Sequence, residues 1–325
     1  MTVIQDAGPA SAIGLRPVAG HIGADITDID ISRPLAPEQV SAIRDALHRY
    51  KVIFFRGQQL DHASQIAFGR QFGELTYAHP HDEAPPDDYP EIFTVDPVRY
   101  EQRYGAEFRA ENRRRQYSYF TGWHTNVTAA VNPPAGSILR AEVVPEVGGD
   151  TTWSSLVAAY AGLSEPVQGF VRTLRAEHCY GGPDGTRGNI AYAQRVNDNL
   201  LVAIHPVVRV HPVTGEKALF VNPGFTSHIV GVSARESKAI LDLCYAEITR
   251  PEYTVRLRWE PGTVAFWDNR ATAHLAPRDI EHLDLQRTLH RVTLVGDVPV
   301  GTDGRQSELV AGKPFTSKHA VVVAD

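Results

Sequence analysis

His124, Thr125 and Asn126 stand in a row, and far downstream come His274 and then two arginines, Arg287 and Arg291. If the first three residues form a strand, positions i and i+2 point to the same face, so side chains 124 and 126 lie side by side toward one cavity. A third ligand from a distant strand would complete a metal site. Two histidines and a carboxylate leave three coordination positions open, which suits a non-heme Fe(II) centre that must hold a cosubstrate and O2 together. In this chain the carboxylate slot holds Asn126, whose neutral amide offers a weaker oxygen. The chain has 14 histidines, and a lone histidine is more often a satisfied structural residue, so the pattern gains its weight from its neighbours.

Arg287 and Arg291 are those neighbours. They lie in a strand-like stretch, 286–294, where i and i+4 share a face roughly 13 Å apart at about 3.3 Å per residue. Two guanidiniums would then point into one cavity, and each can grip a carboxylate or sulfonate bidentately, which suits a site holding two anions at once. The same spacing also fits rim charges engaged in ion pairs.

The elements that must position these residues begin with an α/β segment. A turn at Arg33-Pro34 leads into a helical pattern up to residue 50, with Val40, Ile43 and Leu47 three or four apart. Residues 51–55 form a short β-rich run, and Asp61 can cap a second helix reaching about Phe72. From Trp123 onward strand signals dominate, at 136–141, 151–153, 205–210, 218–221, 254–257, 263–267 and 288–295. Glycine-rich turns separate many of them. Helical patterns interrupt at 156–162, 165–175 and 234–248. Many short strands with few βαβ alternations predict a mainly β fold with some α, a double-stranded β-helix (jelly roll, cupin-like) decorated by helices. One domain spanning 1–325 is expected, with a polar, loosely held tail after 301.

Composition limits the function classes. The 325 residues are 42% hydrophobic and 22% charged, ordinary for a globular protein. No apolar run approaches the roughly 18 residues of a membrane span, and the first 30 or so residues lack a basic-then-apolar leader, so a cytoplasmic protein without membrane contact is expected. A net charge of −6 argues against a general nucleic-acid binder, whose affinity rests on cationic phosphate contacts. The partner is expected to be small. Cys179 and Cys244 are too few for a disulfide framework and lack a CxxC spacing, so both read as free thiols.

Several motifs in fixed order resemble the taurine dioxygenase branch of the Fe(II)/2-oxoglutarate-dependent oxygenases, which includes alkylsulfate and phenoxyacetate dioxygenases. They are GADITDIDISRPL, VIFFRGQQL and FGRQFGEL near the start, the stretch from Trp123 to Leu156, HPVVRVHPVTGEKALFVNPGFTSHIVGVSARES, FWDNRATAHLA and LQRTLHRVTLVGDVPVG. The similarity covers nearly the whole chain except about 97–121 and the termini. It implies Fe(II), 2-oxoglutarate as cosubstrate and O2, a small anionic organic substrate (sulfonate, alkyl sulfate or carboxylate), and release of succinate and CO2. His124 and His274 match the family's iron-binding histidines, and Asn126 stands where the family has the iron-binding aspartate. Thr151 and Arg287 match the residues that hold the distal carboxylate of 2-oxoglutarate. His79 and Arg291 match residues that bind the substrate's anionic head, Phe225 an aromatic packed on the substrate, and Trp267 a position near the iron pocket. An aromatic on a strand is also the usual core residue, so Phe225 and Trp267 suit either role. Family members are usually homo-oligomers.

Two departures from the family pattern stand out. With Asn126 in the metal-carboxylate position, metal affinity and turnover should fall, and a non-catalytic jelly-roll relative that binds 2-oxoglutarate or metal is the alternative. The segment 99–120, with six arginines, three glutamates and six aromatics, reads as an insertion. Within 97–121 it could form a lid over an anionic, partly apolar substrate larger than taurine, or else a surface excursion or oligomer contact. Phe120 in it occupies a position where the taurine enzyme has a polar substrate contact, and Asp82 falls where a substrate-facing tyrosine would be.

Overall fold

The computed structural model describes residues 13–81, 85–86, 88–96, 122–180, 196–277, 279–280, 282–283 and 285–317. The first half of the strand set is β1 (Gly14–Pro17), β2 (Ala24–Thr27), β3 (Val52–Phe55), β4 (Phe93–Val95), β5 (Gly136–Val143), β6 (Thr151–Ser155), β7 (Arg175–Cys179) and β8 (Val202–Pro206). The second half is β9 (Val208–Val210), β10 (Lys217–Leu219), β11 (Thr226–Ile229), β12 (Thr254–Leu257), β13 (Val264–Asp268), β14 (Thr272–Leu275), β15 (Thr288–Thr293), β16 (Val300–Gly301) and β17 (Glu308–Ala311).

Period-two alternation builds the main layer. The large sheet has the order β1-β2-β3-β13-β5-β15-β4, and every pairing in it is antiparallel except β2 with β3. Along β3, β13, β5 and β15, Ile53, Phe55, Val264, Phe266, Ile138 and Val292 point to one face, where they meet helices α1 (Pro37–Tyr50) and α2 (His62–Arg70). The intervening Val52, Phe54, Ala265, Trp267, Leu139 and Leu289 point inward and meet Trp153, Val255 and Leu257 of the opposing layer. This is the jelly roll that the alternation predicts, with helices outside. Truncating a fully buried aromatic of the inner layer such as Trp153 would cost about 3–5 kcal/mol.

Three smaller sheets, β12-β6-β14, β11-β7-β8-β17 and β10-β9-β16, make up the rest of the sheet structure among the described residues. The helix Ala234–Ile248 buries Leu241, Cys244 and Tyr245 against Val207, Leu219 and Tyr160. Local signals set the helix starts. Pro37 opens α1, while the Asp61 carboxylate accepts the Ser64 N–H at 2.8 Å and Ser64 Oγ accepts the Asp61 N–H at 2.9 Å.

Three expectations change. The run 205–210 is two strands in different sheets, because Pro206 has no N–H to continue the ladder and Val207 bridges to Leu174 and Phe220 instead. The pattern at 165–175 is a short helix, Glu165–Val171, and Arg175 already opens β7. The tail beyond 301 is tied down as far as Phe315: β17 pairs with β8, and the Asn132 side chain bonds both the N–H and the carbonyl of Phe315. The candidate lid 97–121 lies outside the described residues. No helix among the described residues is long and apolar enough to cross a membrane.

Candidate active site

The two histidines meet through their backbones. His124 lies in an isolated bridge, not the strand expected for 124–126, and exchanges both backbone hydrogen bonds with His274 of β14, at 2.9 and 2.8 Å. Such a pair sets two side chains next to each other, and the ring centroids are 4.2 Å apart. The chain turns immediately afterwards. Val127 has φ of 47°, a left-handed conformation that costs a β-branched residue about 1–3 kcal/mol. Thr125 Oγ1 donates to the Thr272 carbonyl at 2.8 Å, and the turn is clamped from behind at Thr128. His178 Nδ1 bonds Thr128 Oγ1 and His205 Nε2 bonds the Thr128 carbonyl, at 2.9 and 2.7 Å. Burial holds both of these imidazoles neutral, pushing His205 down to about 3.

The environment of the ring pair suits metal ligation. The Gly122 carbonyl lies 2.9 Å from His124 Nδ1 and can only accept, so the proton sits on Nδ1 and the ring's lone pair is on Nε2. Burial, followed by the charges of His124 and Arg291, pushes the His274 pKa well below its ordinary value and keeps that ring neutral as well. His274 Nδ1 is buried with no hydrogen-bond partner among the described residues. Gly224 passes over the pair where a Cβ would come 2.8 Å from the His124 Cβ. Trp267, 1% exposed, lies 5.0 Å from the His274 ring and backs it from the core.

Asn126 is buried and engaged at both ends of its amide. Its Nδ2 donates to Ser137 Oγ at 2.8 Å, and its Oδ1 accepts from Arg291 Nη1 at 3.1 Å. Guanidinium groups only donate, so the atom facing Arg291 must be the oxygen. Ser137 Oγ also accepts from Asn269 Nδ2 at 2.9 Å, and Asn269 Oδ1 accepts from Trp267 Nε1 at 2.8 Å. Among the described residues no three His, Cys, Asp or Glu side chains gather around a metal position. The donors present are two imidazoles, of which burial keeps that of His274 neutral, and an amide oxygen. The imidazoles fit two positions of a divalent metal, and the amide oxygen, which already takes an Arg291 N–H, would be a weak third.

Arg287 and Arg291 have different partners. Arg287 precedes β15, and a register irregularity falls between Thr288 and Leu289. Its Nε donates to the Gly149 carbonyl at 2.8 Å, and its Nη2 lies 3.5 Å from Thr151 Oγ1, which also accepts from Trp259 Nε1 at 2.9 Å. Gly148 and Gly149 both have left-handed φ, and a Cβ on Gly149 would crowd Arg287 Cδ at 3.2 Å. Burial depresses the Arg287 pKa to about 10, opposed by Asp279 and Asp150. Arg291 lies 4.7 Å over the Phe93 ring. His79 stacks on Phe93 at 4.9 Å, and its Nε2 is 3.1 Å from the Tyr180 hydroxyl. Tyr180 in turn meets Phe225 at 5.5 Å, and Phe225 meets His124 at 6.3 Å.

The structure thus brings His124, Asn126, His274, Arg291, His79 and Phe225 into one constellation, with Trp267 behind it and Arg287–Thr151 as a paired unit. Phe120 and Asp82 lie outside the described residues. Sequence reasoning missed Phe93, Tyr180, Ser137 and Asn269. The family model of taurine catabolism dioxygenases, TauD/TfdA, matches residues 14–293.

The chain belongs to the TauD/TfdA family.

Within TauD/TfdA it is 40% identical over 307 residues to an alpha-ketoglutarate-dependent sulfate ester dioxygenase of Pseudomonas putida, covering 92% of this chain and 94% of that protein. It is 35% identical to an alkylsulfatase of Acinetobacter baylyi, over 100% of this chain and 99% of the relative. Among solved structures, a taurine dioxygenase from Burkholderia xenovorans superposes with a TM-score of 0.79 at 47% identity, covering 92% of this chain and 97% of that one. This TauD/TfdA chain is a 2-oxoglutarate (alpha-ketoglutarate)-dependent dioxygenase, an oxidoreductase.

Proposed function

We propose that the chain uses Fe(II), 2-oxoglutarate and O2 to hydroxylate a small organic anion with an apolar body, a sulfate ester in the first instance. What supports this reading is the adjacent imidazole pair of His124 and His274 together with two separately held arginines. Arg287 with Thr151 would supply one anion-binding end, and Arg291 beside His79 the other. Phe93, Tyr180 and Phe225 wall the space next to Arg291 with aromatic carbon, which favours an alkyl or aryl substituent over a short polar one. The two curated relatives described above are named for sulfate esters or alkyl sulfates, in keeping with this choice. Sulfonates and carboxylates share the recognition chemistry at Arg291.

His124 and His274 would hold the metal, with Asn126 as a weak third donor. When bound, the metal supplies the place where O2 and the keto acid react. The chain's own residues orient the reactants. Arg287 and Thr151 fix the far carboxylate of 2-oxoglutarate, so that its keto-acid end has one direction to face. Arg291 and His79 hold the anionic head of the substrate, and the aromatic wall keeps water from its carbon. One oxygen atom of O2 enters succinate as CO2 leaves, and the other replaces a C–H hydrogen as hydroxyl. When that carbon bears a sulfate ester, the hydroxylated product collapses to an aldehyde and free sulfate.

A neutral amide at 126 offsets less of the metal's charge than a carboxylate, so metal affinity and turnover in this chain are reduced relative to Asn126→Asp. The test is succinate release from alkyl sulfates, sulfonates and aryl carboxylates by both proteins. Succinate and aldehyde formed in equal amounts from an alkyl sulfate, faster in the Asp variant, is the expected result. Equal, high turnover in both would refute the impairment, and turnover confined to carboxylates would refute the sulfate-ester assignment.

A further inference from the structure

We infer that Asn126 is a positioning residue for Arg291: its neutral amide orients the guanidinium toward the substrate anion without neutralising it. This rests on Arg291 being the anion-binding end in the reading above. The side chain is buried and clamped at both ends, by Arg291 Nη1 at 3.1 Å and Ser137 Oγ at 2.8 Å. Ser137 is itself held by Asn269, which takes the Trp267 indole N–H. A line of hydrogen bonds therefore runs from the core beneath His274 to the guanidinium, and position 126 is its last link. An arginine held by a rigid acceptor loses less rotamer freedom when an anion docks.

The choice of amide over carboxylate sets the local charge. A carboxylate at 126 would place a negative charge about where Oδ1 now lies, and an anion docked on Arg291 would feel it from a few ångströms away. At an effective dielectric of about 20 this repulsion is worth about tenfold or more in affinity. The surrounding network admits either residue. Ser137 now accepts two N–H donors, and with a carboxylate at 126 its hydroxyl could turn and donate to it. The amide therefore exchanges metal affinity for anion affinity at a single position.

The test is calorimetric titration of hexyl sulfate into the metal-free full-length chain, with Asn126→Asp, Asn126→Ala and Arg291→Gln alongside, each checked for folding by its melting curve. The expected order of affinity is Asn, then Ala a few-fold weaker, then Asp about tenfold or more weaker than Asn. The Asn–Asp gap should narrow at high salt. A purely steric or metal-ligating role would leave Asp the better mimic. Asp binding hexyl sulfate as tightly as Ala, or more tightly, overturns the inference, as does a gap indifferent to salt. If the Asp variant does not fold, Ala decides alone, and undiminished affinity overturns the proposal. Binding that requires Arg291 but ignores residue 126 sinks this inference only. No binding to the parent chain, or binding unchanged in Arg291→Gln, sinks the substrate reading with it.

Discussion

Replacing Arg287 by Gln should separate the cosubstrate end of the site from the substrate end. Burial depresses the Arg287 pKa to about 10 from an ordinary 12.5, despite Asp279 and Asp150 pulling the other way. That depression corresponds to about 3 kcal/mol of unfavourable burial of the cation, which a docked carboxylate would recover. Removing the cation should therefore weaken 2-oxoglutarate by about 3 kcal/mol, or roughly a hundredfold. This lies within the 2–5 kcal/mol or so expected for one partner of a buried charge pair. The melting temperature should not fall, because the buried cation itself contributes no net stability. Arg287→Lys keeps the charge but cannot reproduce the fork to Gly149 O and Thr151 Oγ1, so it should fall between. The assay is initial-rate succinate formation against 2-oxoglutarate at saturating alkyl sulfate, then the converse. A KM for 2-oxoglutarate within about threefold of the parent's, with the KM for alkyl sulfate raised instead, would refute the assignment of the two arginines.

Three further outcomes follow from the geometry. Tyr180→Phe removes the hydroxyl 3.1 Å from His79. It should raise the KM for the organic anion by about 2–10-fold, for a bond worth about 0.5–1.5 kcal/mol, and leave the KM for 2-oxoglutarate unchanged; steady-state kinetics decides. Gly224→Ala places a Cβ 2.8 Å from that of His124 and should cost about 1–3 kcal/mol of stability together with Mn(II) affinity, read by melting curves and metal titration. The neutral buried histidines predict a pH dependence. His205 has a folded pKa of about 3, below its unfolded value near 6.5, so the unfolded chain binds the extra proton. Its contribution is complete above about pH 6.5 and is lost as pH falls toward 3, at about 1.4 kcal/mol per pH unit. Denaturant midpoints that fall steadily from pH 7 to 5 would agree, and His205→Gln should flatten the slope.

Much of the frame was legible because period-two alternation is written into β3, β5, β13 and β15, where residues for the helix-facing core and the inner core strictly interleave. The Asp61 cap and the short loops were legible for the same local reasons. The strand expected at 124–126 was not found, because the turn through Val127 follows from the contacts of Thr125 and Thr128 with segments far away in sequence. Short β17 was missed because its pairing with β8 is its main support and its residues are largely exposed. At the site, residue type and order singled out His124, His274, Arg287 and Arg291 as candidates, and the fold sets the two histidine rings side by side. Ser137 and Asn269 were not legible: each is a small polar residue at or beside a buried strand, and only the packed network gives it a role. Tyr180 and Phe93 lay in stretches whose composition marks strand ends or core, and His79 ties them to the site.

The central claim is that His124 and His274 share one metal beside a dicarboxylate held by Arg287. The most direct measurement is a crystal structure of the full-length chain with Mn(II) and N-oxalylglycine, the metal located by anomalous diffraction. One metal is expected at roughly 2.0–2.3 Å from a ring nitrogen of each histidine, with the distal carboxylate of the analogue against Arg287 and Thr151. A metal bound elsewhere, or an analogue whose far carboxylate rests on Arg291 instead, would contradict it.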